Sequence, residues 1–159
     1  MSPQVVERRM KQFGARCPEL GLVATHQRQV IYRVLAESEE HPRTETIYRR
    51  VKRLIPAISL ATVYKNIKTF VRMGLLQEVG SQPGSYRVDA NLDRHHHLVC
   101  VKCKAVVDFY DPRLDRVRAT SPNPKNFRIL RYQVEALGVC PACREESNRR
   151  KTKRRKHNG

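Results

Sequence analysis

No apolar run in this 159-residue sequence approaches the ~20 residues needed to span a bilayer, and the first residues lack the apolar core of a signal peptide. A membrane-spanning or exported protein is therefore not expected, and a cytoplasmic one is. Acidic residues are scarce: 15 Asp+Glu stand against 32 Lys+Arg, giving a formal net charge of +17 and a pI near 10.3. Such an imbalance points to a polyanionic partner, of which nucleic acid is the usual one. Seven of the positive charges lie near the end of the chain, between Arg149 and Lys156, and removing them still leaves +10. The surplus belongs to the body as well as to the tail. There is no internal repeat beyond two C-x-x-C turns, and the length allows one ordinary domain or two small ones with modest cores.

Cysteine is sparse but patterned. Cys100 and Cys103 form one C-x-x-C pair and Cys140 and Cys143 the other, leaving Cys17 as an unpaired fifth residue suited to packing. Each pair sets two thiolates on one tight turn, and two such turns together make the tetrahedral four-sulfur set that Zn²⁺ takes in closed structural sites. The alternatives are two disulfides or four idle thiols. A reducing compartment suits thiolates kept for metal.

Residues 3–13 read as a short helix, and the stretch 17–21, with Pro18 and Gly21, as a break. Thr25 can cap a second helix, in which Val30, Ile31, Val34 and Leu35 recur at helical spacing before His41-Pro42 ends it. A third begins near Thr44, carries Ile47, Tyr48, Val51 and Leu54, and stops near Pro56. Ser59 offers the N-cap of a fourth, with an apolar stripe of Val63, Tyr64, Ile67, Phe70 and Val71, ended by Gly74. Residues 75–79 and 86–88 flank a glycine- and proline-containing turn at 80–85, a strand-turn-strand pattern. Helices followed by a hairpin make a winged helix-turn-helix.

Beyond Asn91 the pattern changes. Residues 97–101 and 105–110 read as strands, 112–119 as a short helix and 127–137 as a longer strand, which together suggest a small α/β domain. From Glu145 onward the chain is almost without apolar residues and is expected to be disordered. The predicted class is α+β, with a winged-helix domain over 1–90, a small α/β domain over 91–144 that carries the paired cysteines and whose sheet edge or helix could serve as a dimerisation interface, and a basic tail over 145–159.

In a helix-turn-helix the second helix enters the major groove, and here that helix is 59–74. Ser59, Thr62, Tyr64, Lys65, Asn66 and Lys68 are its candidate DNA-facing residues, since Asn suits adenine and Lys suits guanine or phosphate. A second constellation comprises His41, Asp89, His95, His97 and Asp108, imidazoles and carboxylates that form a donor set for Fe²⁺, Mn²⁺ or Zn²⁺. Strand alternation puts His95 and His97 on one face and His96 on the other. Spacing alone equally allows His41 to be a helix-terminal surface histidine and the two aspartates to be solvated strand ends.

Taken together, Thr25-His26-Gln27-Arg28, His41-Pro42, the run from Ser59 to Tyr64, Asp89, the run from His95 to Cys103, Val107-Asp108-Phe109 and Cys140-Pro141-Ala142-Cys143 resemble the ferric uptake regulator family. The likeness covers about Gly21 to Cys143 and is closest to the peroxide-responsive (PerR-like) branch. It implies a homodimeric repressor that binds palindromic double-stranded operators and is not an enzyme, with structural Zn²⁺ on the four paired cysteines. It further implies a regulatory Fe²⁺ or Mn²⁺ on His41, Asp89, His95, His97 and Asp108, and oxidation of His41 or His95 by peroxide when iron is bound. Iron-sensing relatives typically carry glutamate in place of Asp89 and Asp108. Arg94, His96 and Tyr132 stand where a further metal site of the family would need ligands, so that site is not expected. His26 replaces the family's usual proline, and Lys104 stands where a glycine commonly follows the second cysteine. Two other classes remain open from the residues: a non-haem metalloenzyme, for which no separate nucleophile or general acid is visible, and a basic zinc protein that binds RNA.

Overall fold

A computed structural model of the chain describes residues 1–38, 41–80, 87–118, 127–129, 132–146 and 149. The turn expected at 80–85 falls, after Gly80, outside the described residues, as do 119 of the expected short helix, 130–131 of the expected strand and most of the expected tail. The chain divides into two compact units, Met1–Asp93 and Arg94–Gly159.

The first unit opens with α1 (Pro3–Glu19), longer than the sequence suggested. Val6, Phe13 and Cys17 recur along its buried face, and Pro18 sits in the last turn, where its missing N–H removes one hydrogen bond only. The actual stop is Gly21 at φ 65°: its N–H donates to the Pro18 carbonyl and that of Leu22 to Cys17, the paired bonds of a left-handed helix cap. α2 (His26–Ala36) starts on Thr25, whose hydroxyl accepts the Arg28 N–H, and α3 (Thr44–Leu54) follows. α4 (Leu60–Arg72) is capped by Ser59, which accepts the Thr62 N–H at 3.1 Å, and Gly74 at φ 65° follows it. The apolar stripes meet in one core, centred on Phe13 stacked on Tyr32 at 4.2 Å with Phe70 edge-on to both. Burying three aromatic rings fixes α1, α2 and α4 to one another, which leaves the opposite face of α4 free. β1 (Gln77–Val79) and β2 (Arg87–Asp89) pair antiparallel, with Gln77 opposite Asp89.

The second unit is built on a three-stranded sheet of order β4-β3-β5, with β3 (His96–Cys100) central, β4 (Val106–Phe109) antiparallel to it and β5 (Glu135–Gly138) parallel. β5 is shorter than the expected 127–137 strand because β3 begins at His96: the His97 N–H bonds the Val134 carbonyl, and among the described residues no ladder lies further back to pair with. The expected helix at 112–119 is a single 3₁₀ turn, Leu114–Arg116, started by Asp111, whose side chain accepts the Arg113 N–H. Residues 141–146 are helical, so Glu145 and Glu146 extend a helix rather than open a disordered tail. The architecture is α+β, a winged helix-turn-helix followed by an α/β domain.

Candidate metal centres and nucleic-acid interface

Local backbone geometry builds the thiolate cluster. Cys100 ends β3, and the chain folds back at once, with the Lys104 N–H donating to the Cys100 carbonyl and the Cys100 N–H to Ala105. Lys104 holds φ 61°, the only non-glycine with positive φ among the described residues, and this explains why a glycine commonly stands at its position in the resembling family. From the other side, the Cys140 N–H points at Cys100 Sγ at 3.4 Å, and Cys143 follows within the 141–146 helix.

The four sulfurs lie within 4.8 Å of one another, with Cys103 and Cys140 3.6 Å apart. A disulfide needs about 2 Å. Ligands at about 2.3 Å around a tetrahedral ion would be about 3.8 Å apart, so the spacing suits a shared Zn²⁺. The thiols also share protons unequally. Hydrogen bonds from the backbone N–H groups of Cys140, Cys103 and Lys102 bring Cys100 down to about 6, whereas hydrogen bonding to Cys103 and Cys140 pushes Cys143 up to about 12. A dication replaces those protons and satisfies all four sulfurs at once.

The imidazole and carboxylate residues fall into two half-sets, one in each unit. In the first, His41 Nε2 lies 3.5 Å from Asp89 Oδ2, both buried. Asp89 is held by Gln77 Nε2 at 3.2 Å and by the Asn91 N–H at 2.7 Å, and the His41 carbonyl accepts from Arg87 Nη1. In the second, the β3/β4 register sets His97 opposite Asp108, and alternation brings His95 to the same face. His95 Nε2 and His97 Nε2 are 3.0 Å apart, and each lies 3.6 Å from Asp108 Oδ1. Donors about 2.1 Å from an ion at right angles are about 3.0 Å apart, and wider angles give about 3.6 Å, so both spacings suit a divalent cation. Gln133 Nε2 approaches the far nitrogen of His97 at 3.4 Å, in position to orient that ring. His96 faces the other way, against the Phe109 ring and 3.3 Å from Asp115. Gln77, Arg87 and Gln133 escaped notice in the sequence because their roles depend on pairing register rather than on spacing.

The residues listed by sequence for DNA contact divide in two. Lys65 and Lys68 are exposed on α4, and Tyr64, half-buried, donates its hydroxyl to the Glu45 carboxylate, a bond that holds Glu45 below the usual carboxylate range. Ser59 and Thr62 are bonded to each other at 2.8 Å as part of the cap. Asn66 differs from these: it is 9% exposed, its Oδ1 accepts from Arg28 Nε at 3.1 Å and its Nδ2 donates to the Thr62 carbonyl at 2.8 Å, so its amide is engaged within the fold. Arg28, its partner, belongs to the Thr25-to-Arg28 run that carried the resemblance.

Residues 19–137 match the ferric uptake regulator family. The chain belongs to that family. Among curated relatives, the peroxide-responsive repressor PerR of Staphylococcus epidermidis is 34% identical over 143 residues, covering 90% of this chain and 95% of that protein. The PerR of Staphylococcus aureus is 31% identical over 141 residues, covering 89% and 95%. Among solved structures, a zinc-bound manganese uptake regulator shares 29% identity at a TM-score of 0.58, covering 86% of this chain and 98% of the other. A Campylobacter jejuni peroxide stress regulator shares 25% at 0.57, covering 84% and 98%. As a ferric uptake regulator family protein, the chain is a metal-responsive repressor. Among the described residues, no helix is long and apolar enough to cross a membrane.

Proposed function

We propose that this family member is a homodimeric repressor that binds palindromic operators while its regulatory site holds Fe²⁺ or Mn²⁺, and that peroxide releases it by oxidising His41 or His95 of the iron form. The observation that carries the reading is the pair of incomplete donor sets: two ligands from His41 and Asp89, three from His95, His97 and Asp108, each spaced for a divalent cation. Neither set saturates an ion by itself. One ion taking all five would pin residues 1–90 to residues 91–144, and its loss would release them. The likeness to peroxide-responsive repressors supports the choice of stimulus.

This chain's residues supply the geometry of the response. His95 and His97 are buried, whereas the Asp108 side chain is 28% exposed, so the carboxylate side is the one open to a small oxidant. A bound Fe²⁺ would supply the electron that opens the peroxide O–O bond; overall, one peroxide oxygen would be inserted into a ring C–H bond of a ligand histidine and the other would leave as water. The four cysteines would hold Zn²⁺ throughout as a structural clamp.

Dimerisation is supported by the sheet face opposite His97, where the paired Leu98 and Val107 are 47% and 57% exposed. So apolar a face suits burial against a second copy. Two copies would set their α4 helices in successive major grooves, about 34 Å apart, with Lys65 and Lys68 toward the DNA and the basic end of the chain on phosphates.

The test is peptide mass spectrometry beside an operator gel-shift. Iron-loaded protein treated with low peroxide should gain one oxygen on His41 or His95 as it releases DNA, and manganese-loaded protein should do neither. Unmodified histidines at the point of release, or equal sensitivity with manganese, would leave a metal-sensing repressor without peroxide chemistry.

A further inference from the structure

Within the first unit, a cavity of about 280 Å³ opens between α1, Tyr32 of α2, Leu75 and the segment 90–93 that follows β2. Its charge is lopsided: Arg8, Arg9 and Arg16 of α1 line it against the single carboxylate of Asp93, which is paired with Arg8 at 2.9 Å. Arg9 is 7% exposed, and its one hydrogen bond to a described residue runs from Nη1 to the Ala36 carbonyl at 3.3 Å. A buried guanidinium has five N–H donors and is costly to desolvate unless an anion meets it. The second observation is Tyr32. It is 3% exposed, its ring is stacked on Phe13 at 4.2 Å, and it lines the cavity beside Arg9 and Arg16. Burial pushes its hydroxyl up to about 12, against the smaller downward pull of the Arg9 and Arg16 charges, so it stays protonated and able to donate. A buried tyrosine and a buried arginine thus line one space that none of the described residues fills.

We propose that this cavity is a binding site for a small organic carboxylate with a flat apolar body. Arg9 and Arg16 meet the carboxylate, Tyr32 donates a hydrogen bond to it, and the rings of Phe13 and Tyr32 with Leu75 form the wall against which the body lies. Guanidinium is the cation best matched to carboxylate, which it can grip with two parallel bonds. The volume lies just below the range typical of drug-sized ligands, so the occupant is compact. An inorganic oxyanion would satisfy the charges but leave the aromatic wall uncovered. The site uses none of the residues assigned to metal or DNA, and its test reads neither.

Titration calorimetry of benzoate into the zinc-loaded full-length protein tests it, with benzamide and inorganic phosphate as controls. Benzoate should bind at one site per chain, each control at least about tenfold more weakly, and the amide NMR shifts should centre on Ala15 and Ala90. Tyr32→Phe keeps the ring and removes only the hydroxyl, and should weaken benzoate about tenfold. Arg9→Gln should abolish binding, and if that variant fails to fold, Tyr32→Phe decides the matter. The proposal is overturned if benzoate gives no saturable heat at millimolar concentration, if benzamide or phosphate binds equally well, if shifts centre elsewhere, or if Tyr32→Phe binds as the parent does.

Discussion

Asn66→Ala separates two roles that a side chain on a recognition helix can play. A base-reading asparagine would contribute about 1–3 kcal/mol of discrimination at a single operator position, and its loss would leave the fold intact. The structure instead gives Asn66 two internal hydrogen bonds, to Arg28 Nε at 3.1 Å and to the Thr62 carbonyl at 2.8 Å, at 9% exposure. Truncation removes both and strips Arg28 of its Asn66 partner, though Arg28 Nη1 keeps the Val23 carbonyl. Net loss of two such bonds, one of them to a charged group, is worth about 2 kcal/mol. For a chain of this size that corresponds to a melting temperature lower by about 4–8 °C. Binding to operator and scrambled duplex should fall in parallel. The assay pairs thermal unfolding of zinc-loaded protein with fluorescence anisotropy on a panel of single-base operator variants. Unchanged melting together with altered preference at one base pair would refute the structural role and restore Asn66 to the groove.

Lys104→Gly should stabilise the protein by roughly 0.5–1 kcal/mol, because relief of a positive-φ side chain outweighs the extra freedom glycine gives the unfolded chain; slower zinc loss to a chelator should accompany higher melting, and a lower melting point would contradict the strain at φ 61°. Cys100→Ser should lose zinc and, with it, on the order of 10 kcal/mol of metal-linked folding energy, read by metal analysis and sedimentation; a zinc-free dimer with normal melting would rule the clamp out. Removing residues 149–159 should weaken DNA binding evenly across sequences and flatten its salt dependence, whereas a change in base preference would show that the tail reads sequence.

Most of the first unit was legible because helices announce themselves. Thr25, Ser59 and Gly74 act at the positions their chemistry suggests, and the stripes of α2, α3 and α4 face the core, except that Leu54 at the end of α3 is 61% exposed. α1 was underestimated because Pro18 was read as a boundary, although a proline in a last turn removes only one bond. The strands are harder to read: β5 begins only at Glu135, opposite His97, and a partner that distant in the chain leaves no mark in the local pattern. The thiolates were visible as two short spacings, whose convergence the structure supplies. At Asn66, residue type points to adenine while helix position points to the interior. Spacing four from Thr62 and one before Ile67 places it on the rim of the buried stripe.

β3 has five residues and no idle side. Its His97 face meets Asp108, while Leu98 on the reverse is bare and apolar. A deep mutational scan should therefore find this strand intolerant at consecutive positions, where half-buried strands tolerate change at every second one. A single-residue insertion between His97 and Leu98 would invert the downstream half of the strand, turning Leu98 toward the cation face and Val99 outward. Diversification within such a scaffold is pushed away from the sheet and onto α4, whose exposed Lys65 and Lys68 can vary without disturbing what senses the signal.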